Sequence, residues 1–187
     1  MKKFILPLIT TSLLLTSCTH QPPMPTVNYV DIDRFMGDWY VVANIPTYLE
    51  KGAHNALESY RRNSDGSIAT TFSFREGGYD GKRKEYHPTG YIEDTTTNAT
   101  WGMRFVWPFK ADYRIVYLDD DYTKTVIGRT ARDYVWVMAR RPQLSVGEYS
   151  EIKQFITRIG YDPSKLQLVP QKWPGLSTSK STNREKL

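Results

Sequence analysis

The feature that most constrains this chain is a period of two that runs through its middle. It marks eight segments, Trp39–Ile45, Ala56–Asn63, Ser67–Arg75, Lys84–Asp94, Thr100–Trp107, Asp112–Leu118, Thr123–Arg129 and Tyr134–Arg140, all rich in Val, Ile, Thr and aromatic residues. Turn-forming stretches such as Asn63-Ser64-Asp65-Gly66 and Asp119-Asp120-Asp121 separate most of them. Eight successive strands with no helix between them pair antiparallel with their neighbours. Such a sheet removes its edges most completely by closing into a barrel. A two-sheet sandwich is the rival that the pattern alone leaves open.

The period then changes. Ser145 and Glu148 form a capping box, with Leu144 and Tyr149 placed as a hydrophobic staple. Ile152, Phe155, Ile156 and Ile159 fall on one face, and Gly160 is placed to end the helix. One amphipathic helix therefore follows the strands, and its apolar stripe needs a surface, which the outside of a barrel supplies. Leu166–Val169 can add a short strand beyond it.

The start of the chain has another logic. Lys2 and Lys3 precede an apolar run, Phe4 to Leu15, then Thr16, Ser17 and the single cysteine of the sequence, Cys18. A basic start, a short apolar middle and small residues before a cut form a secretory signal. The run is also shorter than the roughly 20 residues needed to span a bilayer. Leu15-Thr16-Ser17-Cys18 resembles the bacterial lipobox, whose cysteine is acylated, with palmitate among its chains, and becomes the first mature residue. Thr19 after the cysteine, rather than Asp, implies sorting to the outer membrane, with the barrel facing the periplasm. The expected organisation is a signal peptide over 1–17, a lipidated Cys18 and Pro-rich tether over 18–29, a folded domain over 30–173 and a disordered tail over 174–187.

Composition excludes several chemistries. A mature chain of about 170 residues is one domain with a real core. Losing Lys2 and Lys3 from 25 basic residues leaves 23 against 20 acidic, a mild +3 spread along the chain, so nothing points to nucleic acid. With Cys18 lipidated, no thiol remains for a disulfide, a nucleophile or a thiolate metal site. His20, His54 and His87 have no ligand-spaced partners, so no metal is expected. No Gly-x-Ser-x-Gly elbow is present, and no catalytic residue is assigned.

Gly37-Asp38-Trp39-Tyr40 resembles the Gly-x-Trp signature of the lipocalins, and three further features follow in the family's order. Leu118-Asp119-Asp120-Asp121-Tyr122 stands where the family has Thr-Asp-Tyr, Arg140 ends the eighth strand, and the helix comes next. The similarity spans about Val30 to Gln171, with bacterial outer-membrane lipocalins and apolipoprotein D the nearest in kind. Asp120 replaces the family's usual tyrosine. The resemblance implies an all-β, eight-stranded up-and-down barrel with the C-terminal helix packed outside. In it, Gly37, Trp39, Asp119, Tyr122 and Arg140 are structural, and Arg140 packs across Trp39.

It also implies a binder of one small hydrophobic ligand rather than an enzyme, without a cofactor. Alternation places Val41, Ala43, Tyr60, Trp101, Met103, Phe105, Tyr134, Trp136 and Met138 on the calyx wall. The loops opposite Trp39 carry Tyr48, Leu49, Lys51 and His54, then Tyr79 and Lys82 to Lys84, then Pro108 to Lys110, and Arg132. Lys82, Arg83, Lys84 and Lys110 are expected to form a basic collar for the head of a fatty acid or lysophospholipid. Two other functions remain open: a structural or partner-binding lipoprotein with a packed barrel, and a lipid-processing enzyme. A homodimer is also compatible with the sequence.

Overall fold

A computed structural model of the protein describes residues 22–174. Cys18, the signal segment and all but the first residue of the expected tail lie outside the described residues. The strands are β1 Gly37–Ile45, β2 Ala53–Arg62, β3 Ile68–Glu76, β4 Arg83–Tyr86, β5 Thr89–Ile92, β6 Thr100–Val106, β7 Phe109–Leu118, β8 Lys124–Gly128 and β9 Val135–Ala139, with a short β10 at Gln167–Leu168. All pairings are antiparallel, and β1 pairs with β9, Val41 opposite Met138, which closes the barrel and decides against the sandwich. β4 and β5 are the two halves of the expected fourth strand. The break falls at His87-Pro88, where proline has no N–H to give to a ladder. Hairpin connections alternate between the two ends, so those after β1, β3, β6 and β8 share the end opposite Trp39, the open end.

The closed end is an aromatic floor. Phe35, the last residue of the one-turn helix α1 (Ile32–Phe35), lies 5.1 Å from Trp39 and 5.6 Å from both Tyr60 and Trp101, centroid to centroid. Trp39 Nε1 donates to the Phe35 carbonyl at 2.8 Å and Trp101 Nε1 to that of Asn98 at 2.7 Å, so neither buried indole lacks a partner. From below, the Arg140 guanidinium covers the Trp39 ring at 3.8 Å. It donates to the carbonyls of Arg34, Phe35, Met36, Asp38 and Tyr122 at 2.8–3.4 Å. Gly37 has a φ of +92°, which favours glycine at this position. At the neighbouring turn, the Asp119 carboxylate accepts from Thr123 and Lys124 backbone N–H groups. The Tyr122 hydroxyl accepts from Asp31 N at 2.8 Å.

A second apolar cluster lies outside the barrel. Helix α2 (Val146–Arg158) buries Ile152 and Ile156 against Val42, Ala43, Val116, Val126 and Val137. Its capping box is complete, with Ser145 Oγ accepting from Glu148 N and the Glu148 carboxylate accepting from Ser145 N. That backbone hydrogen bond is the main reason the Glu148 pKa falls to about 2. Gly160, at φ +96°, ends the last turn.

The described part of the expected Pro-rich tether packs against the barrel. Met24 is buried in this outer cluster, Val27 N donates to the Ile115 carbonyl at 3.0 Å, and the Pro22 carbonyl accepts from Arg132 at 2.7 Å. Residues 22–29 are therefore a strap lying on the barrel, because an apolar methionine among the prolines finds a pocket there.

Trp39→Ala should lower stability by roughly 3–5 kcal/mol, or about 10 °C in Tm for a domain of this size. Arg140→Ala should cost about 2–4 kcal/mol, because it strands a ring of carbonyls as well as uncovering the indole. Arg140→Lys should recover little, since one ammonium cannot reach all five oxygens. Thermal melts measure all three, and an unchanged midpoint for Trp39→Ala would refute the account of the floor.

Candidate functional site

Above the floor the barrel holds a cavity of about 200 Å³ whose lining is mostly apolar. Phe72 from β3, Tyr86 from β4, Met103 and Phe105 from β6, Ala111 from β7 and Trp136 from β9 contribute apolar surface to it. Leu49 and Phe105 line it while remaining more than half exposed, which places its mouth at the open end.

The polar groups in it are few, and several are charged. Glu58 points inward from β2 and accepts a hydrogen bond from Tyr60 Oη, whose oxygen lies 2.8 Å from that of Tyr113. Tyr113 stacks on Trp101 at 5.1 Å. Glu58 lines the cavity and keeps partial exposure through it, but protein surrounds it otherwise. Burial raises its pKa from 4.5 to about 7, opposed by the Tyr60 hydrogen bond. Burial also pushes both tyrosine hydroxyls well above their ordinary value.

Nearer the mouth, the buried Glu50 carboxylate accepts from Asn44 Nδ2 at 3.0 Å, Trp136 Nε1 at 2.8 Å and Thr47 Oγ1 at 2.8 Å. Its pKa is raised, again by burial first, despite those three donors. Two buried polar atoms on lining residues have no hydrogen-bond partner among the described residues, Thr70 Oγ1 and Arg129 Nε. Arg129 is the basic residue of the lining. Its Nη1 lies 3.2 Å from Asp133, and its guanidinium carbon sits 5.3 Å over the Tyr134 ring.

The sequence-predicted residues divide accordingly. Met103, Phe105 and Trp136 line the cavity, whereas Val41, Tyr60, Trp101 and Met138 are buried in the core cluster around and beneath it. Ala43 does not face inward. A bulge between Val41 and Ala43 shifts the register of β1, sends Ala43 into the outer cluster under α2, and turns Asn44 toward Glu50. Tyr134 stands outside the lining, beneath Arg129.

The expected collar is likewise displaced. None of Lys82, Arg83, Lys84 and Lys110 is on the lining, and three of them sit in surface ion pairs, Arg83 with Glu85, Lys84 with Glu76 and Lys110 with Glu93. Strand alternation points Lys110 away from the interior. Sequence reading missed Glu50, Thr70, Phe72, Tyr86, Tyr113 and Arg129. Alternation along β3 and β7 carried a signal for Thr70, Phe72 and Tyr113, but Glu50 lies in a one-turn 3-10 helix with no period to read.

An eight-stranded calyx closed by Trp39 and Arg140 and opening through aromatic loops fixes the family. Residues 30–171 match the Lipocalin-like domain family. The chain is a lipocalin. It is 29% identical over 162 residues to temperature-induced lipocalin-1 of Arabidopsis thaliana, covering 82% of this chain and 86% of that one. To the outer membrane lipoprotein Blc of Escherichia coli K12 it is 28% identical over 176 residues, covering 89% and 97%. Bovine apolipoprotein D matches at 24% over 165 residues, covering 84% of each. Among solved structures, insecticyanin from the tobacco hornworm superposes with a TM-score of 0.62 at 15% identity, over 80% of this chain and 85% of that one, a likeness of fold. Lipocalins bind small hydrophobic ligands.

Glu58 gives the calyx a pH dependence whose sign is fixed. Its folded pKa is raised, so its neutral form is favoured inside. Stability is full below about 4.5 and falls as pH climbs to about 7, by about 1.4 kcal/mol per pH unit at most. An apolar chain laid over Glu58 removes its remaining water and favours the proton further. Affinity for such a chain should therefore weaken as pH rises past about 7. Titrations with a fluorescent fatty acid from about pH 6 to about pH 8.5 should show this for wild type and a flat profile for Glu58→Gln. Parallel profiles for the two proteins would refute it.

Proposed function

We propose that this lipocalin is anchored to the outer membrane of a bacterial envelope through acylated Cys18, faces the periplasm, and carries or stores single-chain lipids, with lysophospholipids preferred over free fatty acids. The observation that carries the reading is Arg129, a lining residue whose buried Nε–H has no partner among the described residues, beside an otherwise largely apolar cavity. A phosphate supplies the acceptor this donor lacks. Asp112 on the same lining and the nearby Asp133 suit the ammonium of a zwitterionic head. A fatty acid carboxylate meets Arg129 too, but it carries no ammonium for Asp112 and Asp133. The Blc relatives named outer membrane lipoproteins support the anchor and the compartment. A cavity of about 200 Å³ speaks against a fully packed barrel.

Its size also limits the tail. Ligand pockets commonly measure ~300–1,000 Å³, so a long acyl chain fills this cavity and continues past Leu49 and Phe105 at the mouth. Each buried methylene contributes ~0.8 kcal/mol, about fourfold in affinity. Affinity should therefore climb steeply with chain length and then flatten once the cavity is full. In calorimetric titrations, Met103→Glu should abolish binding. Arg129→Ala should weaken lysophospholipid by about tenfold, the loss of one charge-assisted hydrogen bond, while Lys82→Ala and Lys110→Ala change little. Affinity that ignores chain length would place the ligand outside the calyx and end this reading.

The anchor is tested separately. Cells expressing Cys18→Ser should lose the protein from the membrane fraction, and retention at the wild-type level would overturn acylation at this residue.

A further inference from the structure

Ten large hydrophobic side chains are exposed on the described surface, and seven of them, Tyr48, Leu49, Tyr79, Phe105, Val106, Trp107 and Phe109, belong to the open end. The densest group is the β6–β7 hairpin. Val106 pairs with Phe109 across the Trp107-Pro108 tip, and these three large side chains are 69–78% exposed. A contiguous apolar tip of this kind marks a binding surface. Arg104 and Lys110 flank it, and Lys51 lies 5.8 Å over the Tyr48 ring on a neighbouring loop. Aromatic rings at a tip with basic residues behind them match the level at which a bilayer changes from hydrocarbon to head groups.

The path of the chain gives an independent indication. Pro22, the first described residue, is held by its carbonyl to Arg132 in the β8–β9 loop, which also lies at the open end. Three residues separate Cys18 from Pro22, and the four steps between them, at ~3.6 Å each, span at most about 14 Å. An acyl chain on Cys18 therefore cannot sit far from the barrel mouth.

We propose that the open end docks on the phospholipid bilayer that holds the Cys18 anchor, with the Trp107–Phe109 tip in its interfacial layer. The orientation rests on the acylation proposed above, whereas the tip's own affinity for lipid does not. Docking has a use for the calyx. Among the described residues β4 pairs only with β3, leaving the wall unzipped between β4 and the hairpin. Tyr86, Pro88 and Phe105 line the cavity along that seam. A single-chain lipid can then pass between bilayer and calyx without crossing water.

The test uses the mature chain from residue 18 carrying Cys18→Ser, so that no acyl anchor contributes, with vesicles of phosphatidylethanolamine and phosphatidylglycerol. This protein should co-sediment with vesicles. Adding Trp107→Ser and Phe109→Ser should reduce partition by about tenfold or more, because two large side chains no longer enter the interface. The melting temperature and the affinity for a fluorescent fatty acid in solution should be unchanged, as neither residue lines the cavity. Brominated lipids should quench a fluorescence component that disappears in Trp107→Phe. Partition within twofold of the parent after both tip substitutions would overturn the proposal. So would a dimer in sedimentation velocity that the tip substitutions dissociate, since the tip would then belong to a second copy.

Discussion

The calyx exists because Trp39 can be buried at one end of it, and Trp39 can be buried because Arg140 covers the face that would otherwise meet water. The contact is a cation over a ring at 3.8 Å, but its larger effect is on the backbone. The same guanidinium collects carbonyls from α1, from the start of β1 and from the β7–β8 turn, segments with no ladder to join them. Five directional bonds from one rigid fork fix where β1 begins, and hence the register in which it pairs with β9. Closure of the sheet follows from that register. A lysine offers the same charge without the geometry, so the constraint is on shape as much as on sign.

A closed barrel must then decide what to do with its interior, and this one is not uniformly apolar. Glu58, Tyr60 and Tyr113 form a hydrogen-bonded line just above the floor, and Glu50 sits nearer the mouth with three donors. Buried carboxylates lower stability unless they are satisfied or neutral. Glu50 takes the first route and Glu58, with its pKa near 7, partly the second. Filling the same volume with leucine would give a more stable barrel and no cavity chemistry. Together with Arg129 Nε, which has no partner among the described residues, these carboxylates give the calyx wall polar groups that the proposed sorting of ligands by head group would use.

Much of this was legible in the sequence, for a physical reason. Period two, turn residues and a capping box are local, so the strands and the helix could be read almost to their ends. Gly37, Trp39 and Arg140 were legible because a small barrel admits few ways to plug itself. Pro88 inside the fourth strand was a local signal for its break, but most of the other failures were non-local. A bulge after Val41 leaves little mark on composition, yet it moves Ala43 from the inside to the outside. The basic residues of the mouth loops were counted without knowing that Glu85, Glu76 and Glu93 lie opposite Arg83, Lys84 and Lys110. Glu50 comes from a loop, and no alternation indicates that its carboxylate reaches Asn44 and Trp136.

The strap changes what an N-terminal anchor means for a binding protein. A long flexible tether would leave the mouth free to face any direction, and exchange with the membrane would depend on chance encounter. Here Met24 is buried, Val27 hydrogen-bonds to β7, and Pro22 is held at the open end. With Cys18 acylated as proposed, these contacts would convert a covalent attachment into an orientation. The short remaining span to Cys18 brings the mouth, the apolar tip and the unzipped seam beside β4 toward one plane. Buried apolar surface on the strap stabilises the barrel and, in the proposed anchored state, the same contacts would set which end meets lipid.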